Sequence, residues 1–111
     1  MDNKTAHNLV SIFSKIKCIP VGSYGRSSHD PFYKDLDFVT LESLSKIKIV
    51  VERLFQDMKI VRSGEKYLSL LINNKYKVDI WKTTKEEFYK TYMTRILDKK
   101  KLIYINKVLK K

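Results

Sequence analysis

Val21-Gly22-Ser23-Tyr24-Gly25-Arg26-Ser27-Ser28-His29-Asp30-Pro31-Phe32-Tyr33-Lys34-Asp35-Leu36-Asp37-Phe38-Val39 sets a glycine-bearing turn a short distance upstream of two carboxylates. A Gly-Ser pair at the end of an apolar strand frees backbone N–H groups and a hydroxyl to face an anion. Arg26 adds a planar cation that keeps its charge at any physiological pH. Asp35 and Asp37 repeat at the strand period, so both carboxylates project from one face while Leu36 and Phe38 project from the other. Two hard oxygen ligands beside a phosphate-sized turn describe a magnesium site. Asp79, in Lys77-Val78-Asp79-Ile80-Trp81, offers a third carboxylate on a second strand-like run.

The rest of the chain reads as support for that stretch. Over residues 5–17, Leu9, Val10, Phe13 and Ile16 recur at three- and four-residue spacings, which predicts an amphipathic helix capped by Asp2, Asn3 or Thr5. Residues 18–21 form a short buried strand, and Pro20 implies that its missing N–H is not needed in a ladder. Residues 27–34 form a loop around the Asp30-Pro31 turn signal, with His29 and Asp30 as a solvated pair rather than metal ligands. Residues 35–41 are expected as the central strand. Ser43 then caps a helix with Leu44, Ile47, Val51, Leu54, Phe55 and Met58 on its core face.

A strand over 60–62 precedes a hairpin whose arms are 67–72 and 76–81, joined by Asn73-Asn74-Lys75; the second arm carries Asp79. Thr84-Lys85-Glu86-Glu87 is a capping box for a further helix with Phe88, Tyr92 and Ile96 or Leu97 along one side. The tail from Lys99 to Lys111 holds six lysines and no acid. It fits a helix, or an edge strand over 102–105. The elements together predict an α+β fold, a small mixed β-sheet flanked by helices, as a single domain over residues 1–111.

Composition bounds the function. With 111 residues there is room for one core and no second one. The formal charge of +11 arises from 23 Lys and Arg against 12 Asp and Glu, which favours polyanions, nucleic acid before an acidic membrane surface. A lysine-rich soluble surface accounts for the same charge without any partner. The single cysteine, Cys18, excludes an intramolecular disulfide and is expected to pack in the strand before Gly22. No Cys/His spacing suggests zinc. The N-terminus lacks the pattern of a secretory signal, and charges interrupt every apolar run before it could span a bilayer. The expected location is intracellular, in the cytoplasm, or in a nucleus or viral factory of a eukaryotic host.

Gly22-Ser23, then Asp35-Leu36-Asp37, then a lone Asp79 on a strand resembles the signature of the DNA polymerase β-like nucleotidyltransferase superfamily. The resemblance implies a palm-like domain, two Mg2+ ions (or Mn2+), and a (d)NTP substrate. It also implies roles. Asp35, Asp37 and Asp79 are the catalytic and metal-binding residues, and Gly22, Ser23 and Arg26 bind the triphosphate. Residues 64–81, with Tyr92-Met93-Thr94-Arg95, are similar to the palm of a family X DNA polymerase, where Tyr92 and Thr94 match positions that abut the sugar of the incoming nucleotide. Met93 and Arg95 depart from that pattern. Gly25 stands where those polymerases carry the first of two loop arginines, and Ser27 where a glycine follows. The resemblance spans residues 9–111 and includes no thumb or lyase domain, so a partner protein could supply the thumb.

Minimal nucleotidyltransferases, of the antitoxin type that transfers AMP to protein tyrosines, share the loop Gly-Ser-x-Ala-Arg-Gly, with a small residue where Gly25 sits. Arg95-Ile96-Leu97 through Tyr104 is also similar to their C-terminal end. Transfer to a nucleic-acid 3′-hydroxyl is therefore the leading expectation, AMP transfer to a protein hydroxyl its rival, and a non-catalytic nucleic-acid-binding module the third. Trp81 and Tyr24 are candidates to stack on a base or to pack internally. Lys77, on the same face as Asp79, is a candidate compensating partner for that carboxylate, the alternative to a catalytic role for the triad.

Overall fold

A computed structural model describes residues 1–87; the expected helix past Glu87, the lysine tail, and Tyr92 and Thr94 lie outside the described residues. Helix α1 (Asn3–Lys15) is followed by strand β1 (Cys18–Val21), the short helix α2 (Gly22–Arg26) and strand β2 (Asp35–Thr40). Helix α3 (Leu44–Leu54) and strands β3 (Met58–Ser63), β4 (Tyr67–Ile72) and β5 (Tyr76–Lys82) complete the set. The five strands form one sheet in the order β1-β2-β5-β4-β3. β2 and β5 run parallel, and every other neighbouring pair is antiparallel. The fold is thus a small mixed α/β domain compatible with the α+β class.

Alternation along the strands divides the sheet into two faces. Leu36 and Phe38 of β2, Leu68, Leu70 and Ile72 of β4, and Val78 and Ile80 of β5 form one buried cluster with Ala6, Leu9, Val10 and Phe13 of α1 and Leu44, Ile47 and Val51 of α3. Phe13 centres it, its ring 4.9 Å from Phe38 and 5.7 Å from Phe55. On the other face Ile19 and Val39 lie side by side and are also buried, outside that cluster. Cys18 packs in the main core, and burial pushes its thiol up to about 12.

Local chemistry explains most of the element ends. The Asp2 side chain accepts the Thr5 N–H at 2.8 Å and starts α1 two residues earlier than the apolar spacing alone suggests. The helix stops at Lys15 rather than 17 because Lys17 takes a left-handed φ of 66°, with its carbonyl accepting the Thr40 hydroxyl at 3.0 Å. Asn73 and Asn74 both adopt positive φ, 56° and 55°, in the expected hairpin turn, a conformation that asparagine tolerates better than most residues. The capping box is present: Glu87 N–H donates to the Thr84 hydroxyl at 3.1 Å, and Thr84 N–H to the Glu87 carboxylate at 3.5 Å.

Two placements differ from expectation. β2 is not the central strand; β5 is, because the β4–β5 hairpin docks its second arm against β2. α3 ends at Leu54, which is exposed, while Phe55 turns extended and Met58 opens β3, so the helical stripe read through Met58 spans two elements. Both residues still pack against the core. Among the described residues no helix is long and apolar enough to cross a membrane.

Candidate active site

The register of β2 on β5 decides which carboxylates meet. In this parallel pair Asp35 lies opposite Lys77 and Asp37 opposite Asp79. The hairpin then sets Ser69 of β4 across from Asp79. Asp35, Asp37, Lys77, Asp79 and Ser69 therefore share the face turned away from α1 and α3.

Asp79 is almost wholly buried, and its contacts show how that burial is compensated. Its Oδ1 accepts the Ser69 hydroxyl at 2.7 Å and the Tyr67 hydroxyl at 3.1 Å. Lys77 Nζ lies 3.8 Å from its Oδ2, a long, half-exposed ion pair. One oxygen is thus fixed by two hydroxyls, and the other points toward the neighbouring charges. Lys77 is a counter-ion for Asp79 and, by its register with Asp35, a member of the acid cluster as well.

Asp37 is the electrostatic centre. Burial raises its carboxyl above the ordinary range, and the neighbouring Asp79 and Asp35 raise it further, while Lys77 and Arg26 pull it down. Each of these groups acts on one carboxylate, so the three acids and two cations share a neighbourhood. Among the described residues no set of three or more His, Cys, Asp or Glu side chains is spaced to enclose a metal ion. Asp79 commits Oδ1 to hydroxyls and presents only Oδ2 to the cluster.

The Gly22 bend abuts Asp37. Gly22 has a φ of +66°, and a Cβ there would meet Asp37 Oδ2 at 2.6 Å, so only glycine allows this backbone to approach the carboxylate. The chain continues into α2 rather than an open turn. Ser23 is half-buried with its carbonyl accepting the Ser27 N–H at 2.9 Å, and Arg26 is exposed at the far end. Gly25 packs under β1: a Cβ would lie 2.9 Å from the Pro20 carbonyl oxygen. An arginine at this position has no room without moving the strand.

Tyr24 does not face the site. It is buried, its hydroxyl hydrogen-bonds His7 Nδ1 at 2.8 Å, and its ring packs 5.2 Å from Tyr33. Trp81 is 44 % exposed and rests on Tyr67, ring centres 4.3 Å apart. Sequence reasoning passed over Tyr67 and Ser69, although a signal existed: pairing Ile72 with Tyr76 across the expected turn sets Ser69 opposite Asp79 by counting alone. No such signal marks the anchoring of the 27–34 loop. There the Met1 amino group donates to the Tyr33 carbonyl at 2.7 Å, the Asn3 side chain donates to the Asp30 carbonyl at 2.8 Å, and the Tyr33 hydroxyl donates to the Ser27 carbonyl at 2.6 Å.

No protein family, no curated protein and no solved structure matches this chain.

Proposed function

We propose that this protein is a metal-dependent nucleotidyltransferase with a palm-like site of the DNA polymerase β-like superfamily, acting on a (d)NTP and a nucleic-acid 3′-hydroxyl. The observation that carries the reading is the direct Asp37–Asp79 pairing across β2 and β5, with Gly22 pressed against the Asp37 carboxylate. Like charges brought together in a half-buried position are costly unless a cation offsets them. The raised Asp37 carboxyl marks that cost, and an all-carboxylate donor set is the chemistry that a hard divalent ion such as Mg2+ or Mn2+ takes. This supports the reading, although the three side chains would have to draw closer to enclose an ion. Asp35, Asp37 and Asp79 would hold two such ions, which when bound stabilise charge on the entering and leaving oxygens.

The chain's own groups have separate tasks. The acceptor oxygen attacks the α-phosphorus, the bond to the pyrophosphate breaks, and the hydroxyl proton passes to Asp79. Ser69 and Tyr67 hold Asp79 in one rotamer, so that Oδ2 is the oxygen presented to the reacting groups. Gly22, Ser23 and Arg26 retain the departing pyrophosphate, with the exposed Arg26 the cation of the set. Incubation with Mg2+ or Mn2+, a primed or gapped duplex and labelled dNTPs is expected to extend the primer, and Asp79→Asn to slow extension by about 10²–10⁴-fold.

AMP transfer to a protein hydroxyl is a second reading: the tight seat of Gly25 under the Pro20 carbonyl leaves no room for the first of the polymerases' paired loop arginines, although it would crowd the Cβ of an alanine too. Labelling of a protein by AMP from ATP without primer extension would establish it. Retardation of DNA with neither reaction would leave a nucleic-acid-binding module.

A further inference from the structure

We infer that the face of β3–β4–β5 that carries Asp79, which no described helix covers, is the seat of the acceptor strand. In this arrangement Trp81, its ring packed at a tilt against Tyr67, forms the platform for its terminal base, and Lys59 and Arg62 contact its phosphates. The inference rests on the nucleotidyltransferase reading for the fate of the hydroxyl, and on the surface itself for binding.

Register builds the surface. Asp37 pairs with Asp79, Asp79 with Ser69, and Ser69 with Arg62, so one row crosses four strands from acid to cation. The next row runs Asp35, Lys77, Leu71, Lys59. Directly opposed residues share a face, which puts Arg62, Lys59 and Lys77 on the side that carries the acids. Arg62, Lys59 and Lys77 are all exposed, and the shift in register between Ile60 and Arg62 is what brings Arg62 rather than Val61 onto that face. β3 stands two strands from β5, roughly 10 Å at ordinary strand spacing. That distance separates phosphate contacts from the carboxylates that would repel them.

Trp81 pairs with Tyr67, and Tyr67 also donates its hydroxyl to Asp79. A base stacked on the Trp81 ring therefore sits one strand repeat, roughly 7 Å, from the acid that receives the hydroxyl proton. The Gly22 bend adjoins Asp37 on the β1–β2 side, whereas the platform lies on the β5–β4 side. Triphosphate and acceptor thus approach from opposite flanks of the paired acids, which is what an in-line displacement requires. An exposed aromatic and cations spread along one groove-sized surface are the recurring composition of single-strand binding sites. The formal charge of +11 has the complementary sign for such a strand.

Trp81 is the sole tryptophan, so intrinsic fluorescence reports this one place. With EDTA and no nucleotide present, titration with a short single-stranded oligonucleotide is expected to quench it saturably. A labelled oligonucleotide followed by anisotropy is expected to bind Trp81→Ala about tenfold more weakly, with Trp81→Phe close to wild type. The pair Lys59→Glu and Arg62→Glu is expected to lower affinity at least as much, and loss of two single-strand phosphate contacts to flatten the log–log salt dependence by about 1.4. In primer extension, Trp81→Ala should raise the KM for primer and leave the KM for nucleotide unchanged. Absence of quenching, or unchanged affinity in both the tryptophan and charge-reversed variants, overturns the inference. So does quenching by an acidic tyrosine-bearing polypeptide but not by oligonucleotide, which would make this a protein-acceptor surface. Quenching without any transfer overturns the nucleotidyltransferase reading and leaves the binding surface standing; transfer without quenching overturns the surface alone.

Discussion

The two faces of the sheet are built from alternate residues of the same strands and obey opposite rules. Leu36 and Phe38 go one way from β2, Asp35 and Asp37 the other; Val78 and Ile80 go one way from β5, Lys77 and Asp79 the other. The first face is apolar, closed by α1 and α3, and gains stability from every side chain it buries. The second gathers like charges beside a glycine whose φ few other residues adopt, an arrangement that costs stability. On the proposed reading, that cost is what a bound cation would offset.

The sharpest way to break the comparison is to damage each face in turn. Phe38→Ala opens the centre of the apolar cluster, where Phe38 is fully buried against Phe13, and should cost about 3–5 kcal/mol by denaturant titration. Asp79→Asn sits one strand away on the opposite face. It keeps an acceptor for Ser69 and Tyr67, so the fold should persist, while primer extension should fall by about 10²–10⁴-fold. Equal loss of stability in the two variants would make Asp79 a structural partner of Lys77. Gly22→Ala joins the faces: it forces a side chain into a φ of +66° and against Asp37 Oδ2. A stability loss of about 1 kcal/mol or more is expected, together with a raised KM for nucleotide.

How far the sequence discloses these faces depends on how local the cause is. Period-two alternation in 35–39 and 76–81 and the Asn73-Asn74 turn are local, and they suffice to place Asp35, Asp37 and Asp79 on matching faces of two strands. The parallel docking of β5 on β2 is not local. Nothing in either strand says that β5 rather than β2 will be central, because that outcome depends on which edge of the hairpin finds the free edge of β2. Asp79's partners lay between these extremes: hairpin counting reaches Ser69, whereas Tyr67 meets Asp79 diagonally through a long side chain. The pinning of the 27–34 loop by Met1 and Asn3 joins residues about thirty apart through backbone carbonyls, which leave no compositional trace.

The smallest expected effect tests the cost of the charged face most directly. A carboxyl held above its unfolded value of 3.8 binds its proton more tightly in the folded chain, so stability declines as pH rises above 3.8 and stays lower beyond the folded value. Asp37 has that sign, with burial as the first cause and Asp79 and Asp35 as the next. Asp37→Asn removes the charge without changing the shape. In EDTA at pH 7 it should raise stability, by at most about 1 kcal/mol once solvent screening of a half-exposed group is allowed for. The gain should vanish near pH 3, where Asp37 is protonated in both states. Mg2+ should raise the Tm of the wild type and do so much less in Asp37→Asn, because the cation relieves the repulsion that the substitution has already removed. A variant no more stable than wild type at pH 7 would mean that Lys77 and Arg26 already neutralise Asp37, and the cost assigned to the open face would disappear with it.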